Sequence, residues 1–381
     1  MRAGPGEAHR WVEIALAPLA TSEIEDLVAS LGIAELDAHA LAAPLAKHTG
    51  GNPQFVLETL KAILLEGAAG AFAQGRLPLP AGVGALIERR LRRLSGEALQ
   101  LARVAAVAGA DFSIELAEAV VDKPPLALAD AWAELQAANV LSDAVFAHDL
   151  VFEATLRGIP APVAARVHAQ VAEYLESRLE SRGAEPARVA EHWLAAHQDE
   201  RAVASLHAAA NAAETALRFP EAVRFLLRAA DIEQAGGRRA AAFRSVTAAL
   251  ESITSARRND LADLLCARLE ALADTPWEVA EANCRRADNA GERGEYDKAI
   301  AAAESALRLA TRENDADHML KAHNALGASH AMLGDTDAAL QHLQAVLPSV
   351  DRLSEPERAT VFGNYALALD NADRQAEAGP F

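Results

Sequence analysis

Gly294-Glu-Tyr-Asp-Lys-Ala299 returns forty residues further on as Gly334-Asp-Thr-Asp-Ala-Ala339. Both copies put Gly where a chain turns and Ala five residues later, inside the helix that follows. A weaker third copy, Asp373-Arg-Gln-Ala-Glu-Ala378, ends thirty-nine residues after Ala339, and Leu217-Arg-Phe-Pro-Glu-Ala222 has the same shape upstream. Self-similarity at such a period means stacked helix pairs. One pair cannot bury its own apolar face, whereas a stack buries a continuous core. The register between 236 and 280 is not legible in this pattern.

The composition agrees. Of 381 residues, 92 are Ala, and aromatics are only 4%. Ala is the best helix former, and β-branched and aromatic residues are too sparse for a sheet-rich protein. The expected fold class is mainly all-α. A formal charge of −18 argues against a surface built to lie on nucleic acid or anionic lipid. Two cysteines, Cys266 and Cys284, make neither a disulfide framework nor a cysteine-rich zinc site, and a reducing cytoplasm is the expected setting. No run of apolar residues is long enough to span a bilayer. Trp11 to Ala20 is too interrupted by Glu13, and too poorly flanked, for a signal peptide.

Along the chain, Trp11 to Leu16 alternates as a short strand with no partner nearby. Thr21-Ser-Glu-Ile-Glu25 opens a helix with a hydroxyl cap and acidic first turn, and Gly32 stops it. Further helices are expected over 36–48 and 54–66, separated by the break Gly50-Gly51-Asn52-Pro53. Residues 67–80 read as a Gly/Ala/Pro linker. Helices near 83–94, 96–108, 113–121 and 125–138 precede two short strands, 140–142 and 145–147, joined at Asp143-Ala144. Another helix covers 148–157, and from 163 onward the chain is helix after helix.

These motifs carry resemblances. Leu326-Gly327, seven residues before Gly334, resembles a tetratricopeptide repeat (TPR), with Leu-Gly in the first helix, Gly at the turn and Ala in the second. Thr49-Gly-Gly51-Asn52-Pro53-Gln-Phe55-Val-Leu-Glu58 resembles the GNP-x-F-x-x-E segment in the helical lid of STAND-type signal-transduction ATPases, which include LuxR- and SARP/BTAD-type transcriptional regulators. The segments from Leu79 to Ser95 and from Phe146 to Ala154 resemble the two ends of the winged-helix domain in those proteins. Val189-Ala-Glu-His192-Trp193 resembles the first repeat helix after it. The resemblance implies a nucleotide-domain remnant over 1–20, a lid over 21–75, a winged helix over 78–160 and TPR-like repeats over 163–381. The family's phosphate loop, Gly-x-x-x-x-Gly-Lys-Ser/Thr, does not occur in these residues. The missing loop, and an end at Gly379-Pro-Phe381 inside an expected helix pair, are expected of a piece of a longer regulator.

The resemblance also names site residues, each with a plainer alternative. Gly51, Asn52 and Pro53 either contact a nucleotide or only stop one helix and start the next. His148 either approaches the β-phosphate of ADP or caps a strand-to-helix junction. Arg89, Arg92 and Arg93, with Arg90, either touch DNA phosphate or a nucleotide domain, or form a solvated face. Gly294, Ala299, Gly327, Gly334 and Ala339 are structural repeat positions. No histidine pair has metal-ligand spacing, and no nucleophile motif occurs. The chain alone is expected to be no enzyme and to carry no cofactor, with ATP or ADP entering only through a joined phosphate-loop domain. Its expected work is regulatory: a protein or small-molecule inducer on the concave face of the repeats, and a nucleotide-binding domain as partner. DNA and membrane are not expected partners. The alternatives are a stand-alone TPR scaffold, or ATPase activity that needs a separate phosphate-loop domain.

Overall fold

Alanine-rich segments with apolar residues three and four apart form helices that pack closely, and the chain is mainly α-helical. The computed structural model describes residues 17–33, 36–66, 77, 80–179, 185–256, 261–353, 355–372 and 374. The strand expected over Trp11 to Leu16, most of the 67–80 linker, and the third repeat copy except Arg374 lie outside these residues. The chain divides into two units, Met1–Gly183 with Ala195–His197, and Ala184–Leu194 with Gln198–Phe381.

In the first unit, α1 (Thr21–Ser30), α2 (Ala38–Thr49) and α3 (Pro53–Glu66) close over Ile24, Val28, Leu41, Leu45, Val56, Leu60 and Ile63. The hydroxyl cap expected for α1 is corrected. The cap position is Ala20, which has no side-chain acceptor, and Glu23 instead reaches back to accept the Ala20 N–H at 2.7 Å. Next come α4 (Ala81–Leu91), α5 (Gly96–Ala108), α6 (Ile114–Val121) and α7 (Pro125–Ala137). The antiparallel pair β1 (Leu141–Ser142) and β2 (Val145–Phe146) follows, with Leu141 opposite Phe146, and then α8 (Asp149–Arg157). The Glu134 carboxylate of α7 accepts from the Ser95 N–H and hydroxyl at 2.8 and 2.6 Å, tying α7 to the start of α5. α9 (Ala161–Glu176) packs on α5 and α6, so this unit runs past the 160–163 boundary read from the sequence.

The second unit holds α10 (Pro186–Ala195), α11 (Asp199–Thr215), α12 (Phe219–Ala235), α13 (Arg239–Ala256), α14 (Ala262–Leu272), α15 (Pro276–Glu292), α16 (Tyr296–Glu313), α17 (Ala316–Leu333), α18 (Thr336–Val346) and α19 (Glu355–Asn371). The joints from α10 onward repeat one device. His197, Leu217, Gly237, Gly294, Asn314 and Gly334 all have positive φ, each two residues before a helix starts. The N–H of the residue after each bonds the carbonyl five residues back: 198 to 193, 218 to 213, 238 to 233, 295 to 290, 315 to 310 and 335 to 330, at 2.7–3.0 Å. This is the left-handed helix stop that satisfies the last carbonyls. Twenty residues separate His197, Leu217 and Gly237 in turn, and again Gly294, Asn314 and Gly334. The forty-residue repeat is therefore two helices of one length.

Five residues after five of these stops stands an alanine with no exposed surface: Ala202, Ala222, Ala242, Ala299 and Ala339. The smallest helix-forming side chain there lets the neighbouring helix come close. α16 buries only alanines, at 299, 302, 303, 306 and 310. Between Gly237 and Gly294 the rhythm breaks. α14 has 11 residues and ends at an extended Ala273, and a Thr275/Glu278 capping box restarts the chain as α15. First helices of successive pairs also touch, α15 with α17 and α17 with α19.

Candidate functional site

Those contacts line up α15, α17 and α19 along a cleft of about 930 Å³ in the second unit. Its lining comes from these helices, from α13 and α14, and from Leu353; α16 and α18 contribute nothing to it. A volume of this size suits a small molecule or a short peptide stretch. Residues forty apart meet on it: Asn364 Nδ2 donates to Asn324 Oδ1 at 3.1 Å, and Lys321 Nζ donates to Glu281 Oε2 at 2.9 Å.

Beside the cleft lies a buried charge network. Glu281, 2% exposed, also accepts from His318 Nε2 at 2.9 Å and from Arg285 Nε at 2.7 Å. Arg285 reaches on to Glu251, and Asp315 holds the other ring nitrogen of His318 at 2.6 Å. Burial opposes the charge on Glu281, but the His318 hydrogen bond and the charges of Arg285 and Lys321 prevail and hold its pKa well below the usual carboxylate value. Burial likewise opposes charge on His318, and its bonds to Glu281 and Asp315 outweigh this and raise its pKa.

Residues 278–352 match the tetratricopeptide repeat family model. The match begins in α15 and runs over the helix pairs α15–α16 and α17–α18. No curated protein matches the chain. A solved STAND protein with a tetratricopeptide repeat sensor, from Pyrococcus horikoshii, aligns at 14% identity over 95% of this chain and 62% of its own, with a TM-score of 0.29. That likeness is too loose to carry an argument.

Outside these helix pairs, the sequence points to two groups of residues, and the structure brings one of them together. Gly50 ends α2 with φ +61° and Asn52 Oδ1 accepts from the Gln54 and Phe55 N–H groups, so this turn does punctuate two helices. Pro53 is the first residue of α3, and Gly51 O accepts from the Leu19 N–H at 2.8 Å. His148, 8% exposed and at the strand-to-helix junction, stands directly against the turn. A Cβ on Gly50 would lie 2.7 Å from its Nδ1, and the Phe55 ring is 6.4 Å from its ring centre. Burial, opposed by a backbone hydrogen bond and assisted by the Arg90 charge, lowers the His148 pKa and favours the neutral ring. A Gly50→Ala variant is expected to lose about 1–3 kcal/mol through this clash and its left-handed backbone, read by urea unfolding.

Arg89, Arg92 and Arg93 are exposed, and α4 ends at Leu91, so Arg92 and Arg93 lie past the helix expected to carry them. Arg92 pairs with Glu88 at 3.3 Å. The arginine used inside the fold is Arg90, which donates to the Ala138 carbonyl after α7.

Three further clusters are assembled by the fold, the first from histidines whose sequence spacing shows no metal-ligand pattern. His323 and His330 of α17 meet His342 of α18: Nδ1 of His323 is 2.9 Å from Nδ1 of His342, and the His330 ring stacks on it at 5.8 Å. Among the described residues no group of His, Cys, Asp and Glu is disposed to hold a metal. Ser245, His207 and Glu233 also converge, but the Ser245 hydroxyl is 1% exposed and donates to Glu233 at 2.7 Å, so no substrate reaches it. The third is the Glu281 network. The two cysteines are buried, and burial pushes the Cys266 thiol up to about 11. No described helix is long and apolar enough to cross a membrane.

Proposed function

We propose that this chain is the sensor and regulatory portion of an ATP-switched regulator of the STAND type. Its TPR pairs bind a protein or small-molecule ligand in the cleft along α15, α17 and α19. The observation that carries the sensor role is the cleft itself, lined in part by residues matched by the tetratricopeptide repeat model. Repeats of this kind are stacked to expose such extended surfaces.

The rest of the reading rests on the sequence resemblance. The helices α4 to α8 with their hairpin act as a winged helix that passes the ligand state to a nucleotide-binding domain supplied outside these residues. The contact of His148 with the Gly50-Gly51-Asn52-Pro53 turn supports treating the two as one nucleotide-facing surface. The chain alone then hydrolyses no ATP. Switching is a population shift, in which the ligand favours the state to which it binds more tightly.

The sensor role is tested by selecting ligands from a random peptide library and a cell extract of small molecules. The wild-type chain should enrich a ligand, and Asn324→Trp, which puts an indole on the cleft lining, should weaken its binding at least about tenfold, a loss of about 1.4 kcal/mol, with the melting temperature held. Equal enrichment by wild type and variant would count against the cleft.

A further inference from the structure

The charges around the cleft are not balanced. Its two cations are already engaged: Lys321 with Glu281, and Arg285 with Glu281 and Glu251. One turn of α15 presents acceptors instead, Asp288 and Glu292 four residues apart and Asn289 between them, all lining the cleft. No described group bonds the Asp288 or Glu292 carboxylate. Asn289 is 8% exposed; its Nδ2 donates to Asp263 Oδ1 at 2.7 Å, while its Oδ1 is buried without any hydrogen-bond donor. An orphaned buried acceptor is costly, and it is satisfied when a donor arrives.

Asp288, beside it, is exposed in the cleft, and desolvation by the surrounding protein pushes its carboxyl up to about 6 against the pull of Arg285 and Lys321. The charged groups around it are Glu281, Arg285 and Glu292 on its own helix, Lys321 on α17, Glu251 on α13 and Glu357 on α19.

We infer that this end of the cleft binds a cationic nitrogen group, an alkylammonium or guanidinium, whose N–H bonds satisfy Asp288, Glu292 and the Asn289 Oδ1. Such a group supplies donors only, and three acceptors meet it on one helical turn. The inference rests on the cleft being the ligand site, and it fixes the chemistry of that ligand. The group comes either from a free polyamine or from a Lys or Arg side chain of a peptide.

The full chain is titrated by calorimetry with spermidine and with two nonapeptides that differ only in a central Arg or Glu. The expected result is binding of spermidine or of the Arg peptide at least about tenfold tighter than of the Glu peptide. Spermidine alone identifies a free polyamine, and the Arg peptide alone identifies a side chain. Asp288→Asn and Glu292→Gln, which keep side-chain volume, should each reduce that affinity at least about threefold with unchanged helicity. Because a cation favours the ionised carboxylate, wild-type affinity should fall about fourfold from pH 7.5 to pH 5.5, and Asp288→Asn should flatten the profile. Tighter binding of the Glu peptide, lost in Asn324→Trp, would overturn the cation assignment and leave the cleft standing. Binding indifferent to Asp288→Asn, Glu292→Gln and Asn324→Trp alike, or no binding by any probe, would overturn the assignment, and ligand selection that is also blind to Asn324→Trp would remove the cleft with it.

Discussion

Gly327→Val should destabilise the second unit by about 3 kcal/mol or more, one of the two largest single-residue effects expected in this chain. A Cβ at Gly327 of α17 would stand 2.5 Å from Leu343 Cγ and 2.9 and 3.2 Å from its methyl carbons. Leu343 has no exposed surface and sits among Ala331, Ala339, Leu340, Tyr365 and Ala368, so it has nowhere to retreat. Gly327→Ala makes the sign informative. Helix propensity alone favours Ala by about 1 kcal/mol, so a net loss of about 1–3 kcal/mol reports the clash. Combining Gly327→Ala with Leu343→Ala should cost less than the sum of the two, since both changes act on one contact. Urea unfolding of the four proteins measures this coupling. A stabilising Gly327→Ala, or strict additivity, would mean that α17 and α18 are not packed this closely.

Glu281→Ala should cost about 3–5 kcal/mol, because it leaves His318, Arg285 and Lys321 gathered around an empty position. The pH dependence has a definite sign. Glu281, with its pKa lowered by folding, contributes stability above the unfolded value of about 4.3 and loses it as pH falls toward the folded value. His318, with its pKa raised, contributes fully below about 6.5 and loses it as pH rises through the folded value. The gap between wild type and Glu281→Gln should therefore be widest near pH 5–6 and narrower at pH 9. A gap that does not change over that range would show that His318 carries no charge in the network.

The repeat was legible where glycine marked it. Gly294 and Gly334 sit at left-handed stops, Ala299 and Ala339 are fully buried, and Gly327 is where two helices meet. The twenty-residue rhythm beneath it was not, since His197, Leu217 and Asn314 occupy the same left-handed position without being glycine. The register failed between 236 and 280 because α14 is short and its end is extended rather than left-handed. The hairpin read over 140–147 appears at Leu141–Phe146, with Ala147 N–H bonded to the Val140 carbonyl at 3.0 Å.

The cleft was less visible. Glu281 with Lys321, and Asn324 with Asn364, are pairs at the repeat distance of forty, so extending the period across every position would have found them. Asn289 and Asp288 carry no such mark; Asn289 stands out only through its burial and its unpaired Oδ1, and Asp288 only as the exposed acid beside it. The contact of His148 with Gly50 spans nearly a hundred residues and has no local signal.

Hydrogen exchange of the chain with and without its selected ligand tests the central claim most directly. Protection should rise in α15, α17 and α19, which line the cleft, and stay unchanged in α16 and α18, which do not. Protection centred on α16 and α18, or on the β1–β2 hairpin, would contradict it.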